Sequence, residues 1–218
     1  MFTKGDNYTF YVKLSFSFCV WRVKMGHYFT NENLPSEIRT IKASIRDKEF
    51  LFYTDNGVFS KTSVDFGSRL LLESIPLDEV GGKVLDMGCG YGVIGIAVSK
   101  FTSSSVDMCD VNLRAIHLTK RNILLNKCDN ISVFESNCYD SVTSKYDTII
   151  TNPPIRAGKK ILYEILLKAK DFLNVNGNLF LVVRKDQGAK SLIFDLEKIY
   201  NVSILKKKNG FLIIKCTF

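Results

Sequence analysis

Five residues, Gly88-Cys89-Gly90-Tyr91-Gly92, follow the apolar run Val84-Leu85-Asp86-Met87 and precede the helical pattern Val93-Ile94-Gly95-Ile96-Ala97. A strand that ends in a glycine-rich turn and reopens as a helix constrains a fold more than any other feature of this chain. Glycine permits the tight left-handed turn and lets a ligand lie against bare backbone. From Lys83 onward the chain keeps this alternation. Lys83–Met87, Ser105–Cys109, Ile131–Glu135, Tyr146–Thr151 and Asn178–Val183 read as strands. Helical patterns cover about 93–101, 112–126, 161–173 and 191–200. Val202–Lys206 and Phe211–Thr217 close the chain as two strands around Asn209-Gly210, a strong hairpin signal.

Strands alternating with helices imply right-handed crossovers and a parallel sheet covered on both faces. The expected fold is α/β: a Rossmann-like, doubly wound, mostly parallel sheet of seven strands, with one antiparallel strand near its edge. A small β-rich segment precedes it, because residues 38–59 suggest two or three antiparallel strands with Asp55-Asn56-Gly57 as a turn. Phe66 to Ile75 reads as a helix leading into the core. Residues 25–218 are expected to form one domain with its core from about residue 60. Residues 1–24 read either as an extra strand, alternating Phe10, Val12, Leu14, Phe16 and Phe18, or as a leader ahead of Met25.

Composition narrows the chemistry. Of 218 residues, 46% are apolar, enough for one sizeable core. Six cysteines, at 19, 89, 109, 128, 138 and 216, form no Cys-x-x-Cys pair, which fits free thiols in a reducing cytoplasm. The only histidines are His27 and His117, too few for a histidine metal site or a Ser-His triad. No stretch is long and apolar enough to read as a membrane span. A net charge of +8 points to an anionic partner, nucleic acid first, or to solubility alone.

The glycine loop by itself fits two cofactors. Gly90-Tyr91-Gly92-Val93-Ile94-Gly95 satisfies the dinucleotide pattern, and Asp110 follows where an acid would hold ribose hydroxyls. Asp86 argues against a pyrophosphate, since a carboxylate just before the turn would repel it. S-adenosylmethionine carries no phosphate but a sulfonium and an ammonium, which an acid at the strand tip suits. Of the two acids near the end of the second strand, Asp107 falls inside the run, whereas Asp110 lies at its carboxyl end, where ligands bind in such sheets. Asn137, beyond the third strand, is a candidate for the adenine edge; an ordinary loop asparagine is the alternative.

The strand Tyr146–Thr151 runs into Asn152-Pro153-Pro154-Ile155 at the same sheet edge. Two prolines make a rigid, extended turn. Such a turn can aim the Asn152 side-chain oxygen and a neighbouring carbonyl at one amino group and turn its lone pair toward a methyl donor. A cationic sulfonium leaving group needs no strong base, so the scarcity of histidine is no objection.

With these segments the chain resembles class I S-adenosylmethionine-dependent methyltransferases, and within them the ribosomal RNA guanine-N2 methyltransferases of the RsmC-like group. The likeness covers about residues 52–218. It rests on Asp55-Asn56-Gly57-Val58-Phe59-Ser60, Asp65-Phe66-Gly67-Ser68-Arg69-Leu70-Leu71, the glycine loop, Asp110-Val111-Asn112, and Thr151-Asn152-Pro153-Pro154-Ile155-Arg156-Ala157-Gly158-Lys159. The resemblance implies that Asp86, Gly88 and Gly90 contact the methionine part of the cofactor. It also implies that Asp110 binds ribose, Asn137 lies near adenine, and Asn152 with the Pro153 carbonyl grips the target amine, beside Pro154 and Ile155. The position of Ile155 is often aromatic in the group, and an aliphatic side chain stacks less strongly on a base. Larger members of the group carry an additional N-terminal domain for which this chain has no room, so substrate docking is expected to come from elsewhere.

RNA, as ribosomal RNA or a ribosomal particle, is the expected partner. Candidate contacts are Lys42, Arg46 and Lys48, then Arg156, Lys159 and Lys160 beside the Asn-Pro-Pro turn, and Lys206–Lys208, which read more simply as protection for an edge hairpin. A protein glutamine methyltransferase is the alternative, because an amide NH₂ fits the same grip. A non-catalytic RNA-binding or assembly factor with this fold is the other.

Overall fold

The computed structural model describes residues 34–218; the readings made for residues 1–24 lie outside them. Two sheets are present. β1 (Arg39–Ile45) and β2 (Lys48–Thr54) form an antiparallel hairpin. The second sheet has seven strands: β3 (Lys83–Met87), β4 (Ser105–Asp110), β5 (Ile131–Glu135), β6 (Tyr146–Thr151), β7 (Leu173–Arg184), β8 (Asn201–Lys208) and β9 (Phe211–Thr217). Their spatial order is β5-β4-β3-β6-β7-β9-β8. β9 alone runs against the others, inserted one place in from the edge. Asn209 and Gly210 both have positive φ, the two-residue hairpin geometry that matches strand twist.

Five helices cover this sheet: α1 (Phe66–Ser74), α2 (Val93–Phe101), α3 (Leu113–Leu125), α4 (Lys159–Phe172) and α5 (Ala189–Leu196). Alternating side chains on each strand feed two cores. On one face Val84, Val106, Met108, Ile150, Phe180, Val182 and Ile213 pack with α1, α2, α3 and the hairpin. On the other, Leu85, Cys109, Ile149, Leu179, Leu181 and Ile214 pack with α4 and α5.

Of the two or three strands expected over residues 38–59, two form; Asp55-Asn56-Gly57 turns as expected with no third strand after it, and the hairpin between β1 and β2 reverses at Arg46-Asp47, with Arg46 at φ 54. Two boundaries need correction. The strand expected at Asn178–Val183 is longer: β7 begins at Leu173 opposite Tyr146 and carries a register shift before Asn178 pairs with Thr148. α4 starts at Lys159, after a short 3₁₀ turn over Ile155–Ala157 that the Pro-Pro pair obscured.

The hairpin is fastened to the main body by polar side chains of α3. Buried Asn122 receives the Tyr53 N–H at 2.7 Å and donates to the Tyr53 carbonyl at 3.0 Å and the Tyr91 carbonyl at 2.8 Å. Arg114 donates to Asp55, to the Asn56 carbonyl and to the Leu34 carbonyl.

Candidate active site

In a sheet of this topology the carboxyl ends of β3, β4, β5 and β6 share one edge, and the glycine loop and the Asn-Pro-Pro turn both emerge there. Gly88, Gly90 and Gly92 all adopt positive φ, at 74°, 56° and 98°. A Cβ at Gly88 or Gly90 would meet no atom of the described residues within 4 Å, so the backbone there borders open space among them. Gly92 and Gly95 serve packing instead. A Cβ at Gly95 would stand 2.7 Å from Met108 Sδ, and one at Gly92 about as close to Ile96, Thr119 and Met108 side chains as contact allows.

Asp86, next to last in β3, is wholly buried. Its Oδ2 accepts the Gly95 N–H at 2.8 Å. Gly92 is the N-cap of α2 and has no side chain with which to cap it, so Asp86 supplies an acceptor for one of the otherwise unpaired N–H groups of the first turn. Asp86 Oδ1 is buried and has no hydrogen-bond partner among the described residues. Burial pushes the carboxyl up to about 7, against the Gly95 N–H, with the neighbouring Asp110 adding to the rise. This anchoring of α2 is a role the sequence reading missed.

Asp110 ends β4. Its Oδ2 accepts the Gly90 N–H at 2.8 Å and its Oδ1 the Asn112 N–H at 2.9 Å. Burial raises its pKa while these N–H groups oppose the rise. Asp107 is engaged elsewhere, accepting from the Tyr146 hydroxyl at 2.9 Å. Asn137 lies beyond β5, exposed, with its Nδ2 donating to Asp140 at 3.1 Å. The preceding Ser136 donates its N–H to the Asp110 carbonyl, which brings that loop alongside Asp110.

Asn152 follows β6. Its Nδ2 donates to Ser68 Oγ at 3.0 Å and to Asp65 Oδ1 at 3.2 Å. Asp65 also caps α1 by accepting the Ser68 N–H at 3.0 Å. Both hydrogen bonds leave from the amide nitrogen, so the amide oxygen is the end left for a ligand. Thr151 anchors the strand tip through its hydroxyl to the Met87 carbonyl at 2.8 Å. The Pro153 carbonyl accepts the Ile155 N–H at 2.9 Å, which uses one of its two lone pairs. Ile155 packs partly into the α4-side core. The structure therefore gathers Asp86, Gly88, Gly90, Asp110 and Asn152–Ile155 on one edge and adds Asp65 and Ser68. The only sequence signal for these two was their place in a quoted motif.

The family model of the methyltransferase small domain matches residues 49–215. The chain is 43% identical over 194 residues to the uncharacterized protein YbxB of Bacillus subtilis, covering 87% of this chain and 96% of that one. It is 33% identical over 184 residues to ribosomal RNA small subunit methyltransferase C of Psychromonas ingrahamii, covering 82% of this chain. It spans about half the length of that relative, 52%. Among solved structures it resembles the T. thermophilus 16S rRNA N2 methyltransferase RsmC in complex with AdoMet and guanosine. The TM-score is 0.75 and the identity 25%, over 85% of this chain and 52% of that one.

Proposed function

The chain belongs to the methyltransferase small domain family and is an S-adenosylmethionine-dependent methyltransferase of the RsmC-like kind; from that premise we propose that it methylates an exocyclic amino nitrogen, guanine N2 of ribosomal RNA, in the cytoplasm. The observation that carries the reading is the orientation of Asn152. With its nitrogen tied to Asp65 and Ser68, its oxygen is the end left as an acceptor for an amino N–H.

The residues at the glycine loop fit the cofactor. Among the described residues, Gly88 and Gly90 offer backbone with nothing where a Cβ would stand, and Asp86 keeps a buried carboxylate oxygen without a partner. When bound, S-adenosylmethionine supplies a methyl group on a cationic sulfonium. Asp110, held rigid by the Gly90 and Asn112 N–H groups, would receive the ribose hydroxyls, and Asn137 would take the adenine edge. Asp86 would favour the positive charge from below the loop.

On the substrate side, the Asn152 oxygen and the second lone pair of the Pro153 carbonyl would accept the two amino hydrogens. Drawing both hydrogens to one side leaves the nitrogen lone pair facing the methyl donor. The prolines hold these acceptors in place before the substrate arrives, so little reorganisation is needed during transfer. Ile155 and Pro154 would pack against the base. The amino proton leaves after transfer, once nitrogen carries the positive charge, and water can take it.

The test is methyl transfer from labelled S-adenosylmethionine to unmodified small-subunit ribosomal RNA, with the product base identified. We expect N2-methylguanine, and for Asn152→Ala a fall in kcat on the order of 100-fold with cofactor binding retained. Unchanged RNA methylation in Asn152→Ala would sink the mechanism. The aliphatic Ile155 favours one second reading, the amide of a protein glutamine, which methylation of a protein acceptor and not RNA would establish.

A further inference from the structure

The strand order carries the three consecutive lysines of β8 to the active-site edge. β6, β7 and β8 run in the same direction, so Arg184 at the end of β7 and Lys206–Lys208 at the end of β8 finish on the edge where Asn152 stands. β9 begins on that edge with Phe211. Register then fixes their faces. Phe211 lies opposite Arg184 on one side and Lys208 on the other, while Ile213 lies opposite Lys206. Directly opposed residues of an antiparallel pair project from the same face. Phe211 and Ile213 belong to the core on the α1 side, so Arg184, Lys206 and Lys208 share the face that carries α1.

This face connects to the reaction centre through a short chain of contacts. The Arg184 guanidinium lies 5.5 Å from the centre of the Phe211 ring. Phe211 packs on Phe66 with ring centres 5.3 Å apart. Phe66 is the first residue of α1 and follows Asp65, which holds Asn152. From β6 to β8 is three strand spacings, roughly 14 Å, or about four nucleotides of stacked strand.

The charge is lopsided. Residues 184–190 and 206–208 contain six basic side chains and one acid, Asp186, which pairs with Arg184 at the surface. Lys206, Lys207 and Lys208 are exposed, and none is in an ion pair among the described residues. Lys215, toward the other end of β9, is paired with Glu79. Protection of an edge strand calls for charge anywhere along it. It does not explain a cluster at the active-site end, continued by Arg184 on an interior strand.

We propose that Arg184, Lys206 and Lys208, arrayed around Phe211, form a docking surface for the phosphodiester backbone flanking the target nucleotide. The inference rests on RNA being the substrate. Target bases reach Asn152 while neighbouring phosphates lie against the end of the β8–β9 hairpin, and Asp186 gives up Arg184 to phosphate on binding. Arg156 and Lys159, which follow the Asn-Pro-Pro turn, are not needed for this surface.

The experiment compares Lys206→Gln/Lys208→Gln with a charge-matched control, Lys127→Gln/Lys145→Gln, whose exposed lysines lie on the opposite edge. The probe is unmodified small-subunit ribosomal RNA, assayed for binding across a salt series and for methyl transfer. The test variant should bind RNA on the order of 10-fold more weakly at low salt. Its slope of log K against log salt should be shallower by roughly 1.5, as expected for two lost phosphate contacts. The KM for RNA should rise while kcat and cofactor affinity hold. A test variant matching its control in affinity and slope, with the wild type active on RNA, overturns the docking surface and leaves the functional reading intact. A wild type that methylates no RNA but does methylate a protein acceptor overturns both.

Discussion

Asp65 and Asn152 meet across 87 residues of sequence, with Asp65 Oδ1 accepting from Asn152 Nδ2 at 3.2 Å. The same oxygen caps α1. One carboxylate therefore joins the first helix of the main body to the turn that would hold the substrate, and together with Ser68 it fixes which end of the Asn152 amide is left as an acceptor. An amide flipped by 180° would present a donor to an amino group and repel it.

Asp65→Ala should lower kcat by roughly 10- to 100-fold and leave cofactor affinity in place, because the remaining Ser68 acceptor holds the amide less firmly. Losing the cap costs about 1 kcal/mol of stability as well. Asp65→Asn separates the two effects. Asparagine caps helices well and keeps an acceptor, so melting temperature should recover fully and kcat should recover in part. Steady-state kinetics alongside thermal melts reads both. Equal kcat in the wild type and Asp65→Ala would remove Asp65 from the positioning of Asn152.

Glycines 88 and 95 should fail in opposite ways. Gly95→Ala drives a Cβ against Met108, which is itself fully buried, and should cost roughly 1–3 kcal/mol of stability. Gly88→Ala meets nothing, so its stability cost is limited to the left-handed backbone, about 1–2 kcal/mol. Its methyl group would occupy the open space beside the loop and should weaken cofactor binding by at least 10-fold. Denaturant melts and calorimetric titration with S-adenosylmethionine distinguish them. Undiminished cofactor affinity in Gly88→Ala would place the ligand elsewhere.

Asp86 gives the free protein a defined pH dependence. Its folded pKa, about 7, lies above the usual carboxylate value of 3.8, so the native state holds this proton more tightly than the unfolded chain. The stability it contributes is complete below about pH 4 and is lost as pH rises through 7. The difference in stability between the wild type and Asp86→Asn should therefore turn against the wild type between about pH 4 and pH 7 and level off above it. Binding of a cationic cofactor has the reverse dependence. A positive ligand favours the ionised carboxyl, so affinity should climb through pH 7 and level off above it. Asp86→Asn should flatten the climb, leaving the part that belongs to Asp110. Titrations at pH 5.5, 7 and 8.5 suffice to see it, and identical slopes in both proteins would exclude Asp86 as the source.

Local signals account for most of the fold. The stretch Val93–Phe101 reads as a helix from its periodicity and is one. Asn209-Gly210 requires two left-handed residues, and both are left-handed. All seven strands of the main sheet are visible as apolar runs between turns, with β7 and β8 longer than they read. Strand order is not a local property, so the approach of Lys208 to the Asn152 edge could not be read from its neighbours, and the lysines looked like mere edge protection. Asp65 was invisible for the same reason: an N-cap followed by a helix explains it completely until Asn152 arrives from β6. Of the two or three strands expected over residues 38–59 only two form, because Asp55 bonds Arg114 and the Glu37 N–H instead of opening a second hairpin.

Asn122 ties the Tyr53 amide to the glycine loop through the Tyr91 carbonyl. The hairpin is absent from the seven-stranded sheet, and this side chain, with the Phe52–Tyr91 ring contact, is a route by which order in the loop reaches it. Local opening of the hairpin should therefore be coupled to the loop's own fluctuations. A ligand that quiets the loop should slow hydrogen exchange at the Tyr53 amide without touching it, and Asn122→Ala should abolish that slowing. Tyr53 would thus serve as a remote gauge of whether the cradle is filled.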